Sequence, residues 1–154
     1  MAHLKDLAEF RKNIIAPVAG SEALGTALWY RDALALDAID YMHYDLGWIG
    51  GISEAIKISG IAHANNRMMC PHDCTGPIVW IANLHISLAF SNSMILESVR
   101  SYYNGFYKNL VNNLPRIDKG LAFPMDGVGL GTDLKDSLLK SPNTIIRKTT
   151  KNDL

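Results

Sequence analysis

Ala38-Ile39-Asp40-Tyr41-Met42-His43-Tyr44-Asp45 is a short, largely apolar run that ends on a carboxylate, and the same arrangement returns on both sides of it. Upstream, Ile14-Ile15-Ala16-Pro17-Val18-Ala19-Gly20 leads through Ser21 to Glu22. Downstream, Arg67-Met68-Met69-Cys70-Pro71 leads to His72, and Ser93-Met94-Ile95-Leu96 leads to Glu97. Each reads as a β-strand closed by an ionisable side chain. A strand, a loop, a crossover helix and a second loop together take about twenty to forty residues, which is the spacing of these four polar ends. Thr26 to Leu36, Ser53 to Asn66 and Pro77 to Ser91 lie between the strands with helical period. With the amphipathic segment Leu4 to Asn13 in front, the order is αβαβαβαβ, which argues for a parallel sheet with right-handed crossovers. In an α/β barrel, catalytic groups sit at the C-terminal strand ends.

Helix punctuation agrees with this phasing. Gly50-Gly51 precedes Ser53, a residue able to cap the helix that follows, and Gly76-Pro77 puts proline where a first helical turn accepts it. The third crossover, Pro77 to Phe90, is apolar nearly all round, as a helix covered on both sides must be. Asn83, His85 and Ser87 interrupt it too often for a membrane span. A whole eight-unit barrel needs about 250 residues, and these 154 supply four strands, so the expected architecture is half a barrel.

Composition narrows the function classes. Fifteen basic residues balance fifteen acidic ones, 48% of the chain is hydrophobic, and no basic block or aromatic-basic stripe points to nucleic acid. Met1-Ala2-His3-Leu4-Lys5-Asp6 opens straight into an amphipathic helix without the order of a secretory signal, so a cytoplasmic location is expected. Cys70 and Cys74 flank His72, but a zinc site built on these three lacks a nearby fourth ligand and the paired spacing of structural sites. A reducing compartment argues against a disulfide between them. Gly47 to Gly51 has neither the Lys-Ser or Lys-Thr pair of a phosphate loop nor the spacing of a dinucleotide fingerprint, and Gly127 to Gly131, with no strong strand before it, is read as a terminal loop.

Four motifs together resemble one family. Gly20-Ser21-Glu22-Ala23-Leu24, Tyr44-Asp45-Leu46-Gly47-Trp48-Ile49-Gly50-Gly51-Ile52-Ser53-Glu54, Pro71-His72-Asp73-Cys74-Thr75-Gly76-Pro77 and Ile95-Leu96-Glu97 resemble the C-terminal half of the enolase superfamily, mandelate racemase subgroup. The likeness is greatest to its sugar-acid dehydratases such as galactonate dehydratase. Gly127-Val128-Gly129-Leu130-Gly131 is similar to the closing Pro-Gly-Leu-Gly segment of that family, with valine in the proline position. The resemblance runs from about Lys5 to Leu134.

The resemblance implies a role for each strand end. Glu22, closing the fifth barrel strand, corresponds to a carboxylate ligand of an essential Mg²⁺. Asp45 and His72, on strands six and seven, correspond to an Asp-His dyad whose imidazole moves a proton at the carbon next to a substrate carboxylate. Glu97, on strand eight, corresponds to the group that hydrogen-bonds that carboxylate as it becomes an enediolate. Such a dianion needs a cation and a hydrogen-bond donor where charge develops. To donate, Glu97 must carry a proton, which calls for burial or a neighbouring negative charge.

Taken singly, Glu22 and Glu97 read as solvated or capping carboxylates, Asp45 as a turn residue and His72 as a loop histidine. Their joint occurrence at successive strand ends inside matching motifs favours the site. His3, His43, His63 and His85 lack that support and are read as structural.

The expected organisation is a half-barrel over residues 1–120, a segment 121–140 that returns towards a capping domain, and a flexible tail over 141–154. Leu134 to Leu139 reads as a short helix, and the aromatic segment Tyr102 to Tyr107 as core. The remaining ligands, the second-strand base and the capping domain are expected before residue 1. The expected substrate is a small carboxylate or sugar acid, and the expected partner is a second copy or a complementing N-terminal half. The chain is thus expected to be part of a dehydratase or racemase, inactive alone, or else a non-catalytic half-barrel homo-oligomer.

Overall fold

A computed structural model describes residues 3–20, 22–23 and 25–151. Ser21 and Leu24 of the first motif, Met1 and Ala2, and Asn152 to Leu154 of the tail lie outside the described residues. Helix α1 (Leu4–Lys12) leads to strand β1 (Ala19–Gly20), then α2 (Ala27–Ala35) and β2 (Tyr41–Met42). A short helix α3 (Leu46–Ile49) and a long one, α4 (Ile52–Ala64), precede β3 (Met68–Met69), and α5 (Pro77–Ala89) follows it. The strands form one parallel sheet in the order β1-β2-β3, with Ala19 beside Tyr41 and Tyr41 beside Met68. The fourth expected strand, Ser93 to Leu96, joins the edge through a single parallel bridge between Ser93 and Met69.

The fully paired strands are shorter than the apolar runs that announce them. Ile14 to Gly20 contains Pro17, which has no N–H to donate, and regular pairing starts beyond it. Single main-chain bonds carry the alignment further, from Asp40 N to Val18 O at 2.7 Å and from His43 N to Gly20 O at 3.1 Å. The sheet is open among the described residues, and the closed barrel expected from association is not part of this structure.

The helices bury one stripe each. On α2 the buried residues are Ala27, Tyr30 and Ala33, and on α4 Ala55, Ile58, Ser59 and Ala62, the spacing of an amphipathic helix facing a core. They pack with Ile39, Met42, Tyr44 and Met69 into the main cluster. Helix α5 is covered on several sides, with Trp80 and Ile81 packed on Tyr107 in a second cluster. Its proline stands in the first turn after Gly76, as the punctuation suggests. No helix among the described residues is long and apolar enough to cross a membrane.

One cap differs from expectation. Ser53 lies inside α4, and Gly51 holds the capping position without a side-chain bond. Gly50 and Gly51 have φ of 108° and 84°, so the chain turns through two glycines in succession and starts the helix one residue before the serine.

Beyond Glu97 the chain leaves the α/β rhythm. Helical segments α6 (Arg100–Tyr102), a π-helical stretch Tyr103–Tyr107 broken at Gly105, and α7 (Lys108–Leu110) follow in sequence. An antiparallel hairpin, β4 (Ile117–Asp118) and β5 (Leu121–Ala122), turns at Lys119-Gly120. Both turn residues have positive φ, as a tight hairpin requires. After an antiparallel bridge from Leu134 back to Val111 comes α8 (Asp136–Leu139), inside the expected short helix.

Candidate active site

The four residues that close the apolar runs stand in a row because their main chains are tied to one another. Asp45 N donates to Glu22 O at 3.3 Å, His72 N to Tyr44 O at 2.8 Å, and Glu97 N to Pro71 O at 3.0 Å. Parallel strands in this register end level, so consecutive polar ends become neighbours in space.

Helix α5 anchors the row from beneath. Asn83, fully buried, donates its side-chain N–H to the main-chain oxygen of His72 at 3.0 Å, and the Trp80 indole donates to the main-chain oxygen of Glu97 at 3.1 Å. Asn83, one of the polar interruptions in the apolar helix, therefore holds the strand end that carries the histidine.

Asp45 is buried to 0% exposure and is fully bonded. One oxygen accepts from Gly47 N at 2.7 Å, which makes Asp45 the N-cap of α3, and the Thr75 hydroxyl lies 2.9 and 3.0 Å from its two oxygens. The His72 Nδ1–H donates to Asp45 Oδ2 at 3.0 Å. Across the ring, His72 Nε2 lies 3.1 Å from Glu22 Oε2. A carboxylate therefore faces each nitrogen of a nearly buried imidazole. Trp48 stacks on the ring, with centroids 5.6 Å apart and planes 30° from parallel.

Glu97 lacks the burial that its expected role calls for. Its side chain is 43% exposed, and Oε2 accepts from His43 Nε2 at 3.0 Å. The ring of His43, expected to be structural, also meets the His72 ring edge-on at 5.2 Å. It stands two residues before Asp45, and side chains two apart on a strand share a face. That offset is the signal that could have found it.

Asp73 is the second residue that sequence reading missed. It is 1% exposed, accepts from Val99 N at 2.8 Å and from the Tyr107 hydroxyl at 2.7 Å, and so ties the loop after β3 to the segment beyond Glu97. Burial pushes its carboxyl above the usual range against the pull of those two donors, and Glu97 adds to the rise. Burial likewise raises the Tyr107 hydroxyl, with the Asp73 carboxylate adding to it. Cys74 gathers the field of the row: partial desolvation lifts its thiol, and Asp45, Glu22, Asp73 and Glu97 all push the same way.

The donors present do not make a Mg²⁺ site by themselves. Among the described residues, the group of three or more ligand atoms within 4.8 Å of one another is Asp45, His72 and Cys74, one oxygen, one nitrogen and one sulfur. Mg²⁺ demands near-octahedral oxygen, and Glu22, the expected ligand, stands outside that trio. Cys70 is also outside it, so the cysteine-flanked zinc set drawn from the sequence is not assembled; both cysteines are free.

The family described as "Enolase C-terminal domain-like" matches residues 1–138. An arabinonate dehydratase of Saccharolobus solfataricus is 29% identical over 133 residues, 86% of this chain and 35% of that protein. A D-galactonate dehydratase of Verminephrobacter eiseniae is 30% identical over 128 residues, 80% of this chain and 34% of that protein. The chain thus spans about a third of the length of these curated relatives. Among solved structures, an enolase of the mandelate racemase subgroup from Agrobacterium tumefaciens is 37% identical with a TM-score of 0.83, over 90% of this chain and 37% of that one. An enolase protein from Sargasso Sea environmental sequencing is 34% identical with a TM-score of 0.87, over 98% of this chain and 41% of that one. The chain belongs to the enolase superfamily as part of its C-terminal barrel domain, in the mandelate racemase and muconate lactonizing enzyme subgroup.

Proposed function

We propose that this chain is the C-terminal half of an acid-sugar dehydratase barrel, strands five to eight, and that His72 is its proton-transferring group. The observation that carries the reading is the bond from His72 Nδ1 to the buried, fully bonded Asp45. That bond fixes the tautomer with the proton on Nδ1 and leaves Nε2, which lies 3.1 Å from Glu22 Oε2, as the nitrogen that exchanges a proton with substrate. Nε2 takes the proton from the carbon next to the substrate carboxylate, and the C–H electron pair moves into an enediolate. The imidazolium so formed then returns its proton to the neighbouring hydroxyl, which leaves as water. The resulting enol becomes a 2-keto-3-deoxy acid. Racemisation shares the first step and differs in where the proton returns; the dehydratase relatives favour loss of water.

Mg²⁺ belongs to this reading only with oxygens from outside these residues. Glu22 supplies one carboxylate towards it, and Glu97 faces the substrate carboxylate. The remaining strands come from a complementing N-terminal half or from a second copy. Edge strand β1 and the exposed Met94 and Ile95 at the opposite edge favour such completion. We divide the sequence into a half-barrel over 1–120, a returning segment over 121–140 and a tail over 141–154.

The test is product analysis of aldonic acids incubated with Mg²⁺ and the chain, alone and with a relative's N-terminal half. A 2-keto-3-deoxy acid formed only by the completed barrel supports the reading. An epimer alone replaces dehydration by racemisation, and no product from a verified completed barrel contradicts both.

A further inference from the structure

We propose that His43 is a positioning residue that fixes the Glu97 carboxyl, so that the strand ends carry two imidazole–carboxylate pairs side by side. The inference deepens the proposed function and rests on Glu97 facing substrate there. Four observations carry it.

First, the His43 Nε2–H is the hydrogen-bond partner of the Glu97 side chain, at 3.0 Å to Oε2. Oε1 is left without a protein partner among the described residues. Second, His43 is itself held. Its main-chain N–H donates to Gly20 O at 3.1 Å, its carbonyl accepts from the Tyr30 hydroxyl at 2.9 Å, and its ring lies edge-on against His72. Third, Glu97 needs such a hold. It is 43% exposed on a chain segment joined to the sheet by few bonds, and an unpinned glutamate of that exposure samples many rotamers. Fourth, the placement follows from the strand: His43 and Asp45 alternate with buried Tyr44, so the residue that aligns Glu97 and the residue that aligns His72 project from one short stretch.

Aligned this way, one oxygen of the Glu97 carboxyl accepts from His43, and the other is left to donate, when it carries a proton, to a substrate carboxylate. A side chain that must face an arriving anion works best when its geometry is set beforehand.

The pairing can be read without turnover. Long-range ¹H–¹⁵N correlation of the imidazoles in the full chain, with the five histidines assigned by single His→Gln substitutions, reports which ring nitrogen carries the proton. The expected result is a proton on His43 Nε2 in the parent, retained in Glu97→Gln, whose amide oxygen still accepts, and disturbed in Glu97→Ala. His72 keeps its pattern in all three. A His43 spectrum identical in parent and Glu97→Ala overturns the pairing.

The positioning role is then read in the completed enzyme. His43→Gln, which can still donate from its amide, is expected to retain kcat, while His43→Phe lowers kcat by about 10- to 100-fold, the usual cost of losing an orienting partner, with a smaller change in KM. Equal kcat in both variants overturns the role even where the spectra support the pairing. A parent barrel that turns over nothing, with the spectra as expected, counts against the proposed function and leaves the pairing standing.

Discussion

Asp45 carries more of the site than its place before a leucine suggests. One carboxylate caps α3, receives Thr75 and orients His72, all at 0% exposure. Asparagine caps a helix as well as aspartate, so Asp45→Asn is expected to keep the fold. Its amide can hold the ring only in the wrong tautomer, however, and proton exchange by the completed enzyme is expected to fall by about 10²–10⁴-fold. His72→Asn is expected to lose it to the same degree, and circular dichroism checks that both variants remain folded. Exchange retained in both removes the dyad from the mechanism. The row of Glu22, Asp45, His72 and Glu97 was legible because each is a charge that breaks an apolar run. Asp73 was not, because nothing in the local pattern separates it from its neighbours, and His43 was marked only by its two-residue offset from Asp45. Their partners, Tyr107 and Glu97, lie 34 and 54 residues away.

At the scale of elements, periodic helices were the most readable part: α1, α2, α4 and α5 all fall within a few residues of their apolar periods. Helix α3 is a single turn made by its cap, too short to show a period, and hairpin β4–β5 turns on Lys-Gly, a weaker signal than Asn-Gly. The entry to α4 depends on Gly51, with φ 84° and ψ −167°, a conformation only glycine adopts readily. A Cβ there meets nothing within 4 Å, so the cost of Gly51→Ala is backbone strain alone, about 1–3 kcal/mol, read as a lower urea midpoint. The Tyr107–Asp73 bond makes a parallel case for the segment after Glu97. Tyr107→Phe leaves a buried carboxylate oxygen without its donor and is expected to cost about 1–3 kcal/mol. An unchanged midpoint in that variant shows that the bond does not hold the segment.

Across the whole molecule, the sheet's far end is bound by charge rather than by chemistry of the site. Arg11 donates to Asp40 at 2.6 and 3.0 Å and to Asp37 at 2.6 Å, Arg67 pairs with Asp37, and Asp40 also accepts from Val18 N. The Arg11 guanidinium is the main cause holding the Asp40 carboxyl below its ordinary 3.8. A carboxyl lowered by folding contributes its full stability above the unfolded value and loses it as pH falls through the folded one. Arg11→Met is therefore expected to flatten the decline in stability below about pH 4, measured by urea unfolding across pH; an unchanged acid limb assigns that decline to other groups. The same scale decides assembly. Strand β1 and the Ser93 bridge are the two edges of an open sheet, and light scattering is expected to find at least twice the chain mass, whereas a stable monomer contradicts closure by a second copy. The parallel α/β order was legible from rhythm alone. Closure was not, because it depends on strands that these residues do not supply.

The proton transfer at His72 is tested most directly by following, in D₂O, loss of the ¹H signal at the carbon next to the carboxylate of aldonic acids in the presence of the Mg²⁺-supplied completed barrel. The account predicts deuterium incorporation or dehydration with the parent chain and neither with His72→Asn. Equal incorporation with the two contradicts it.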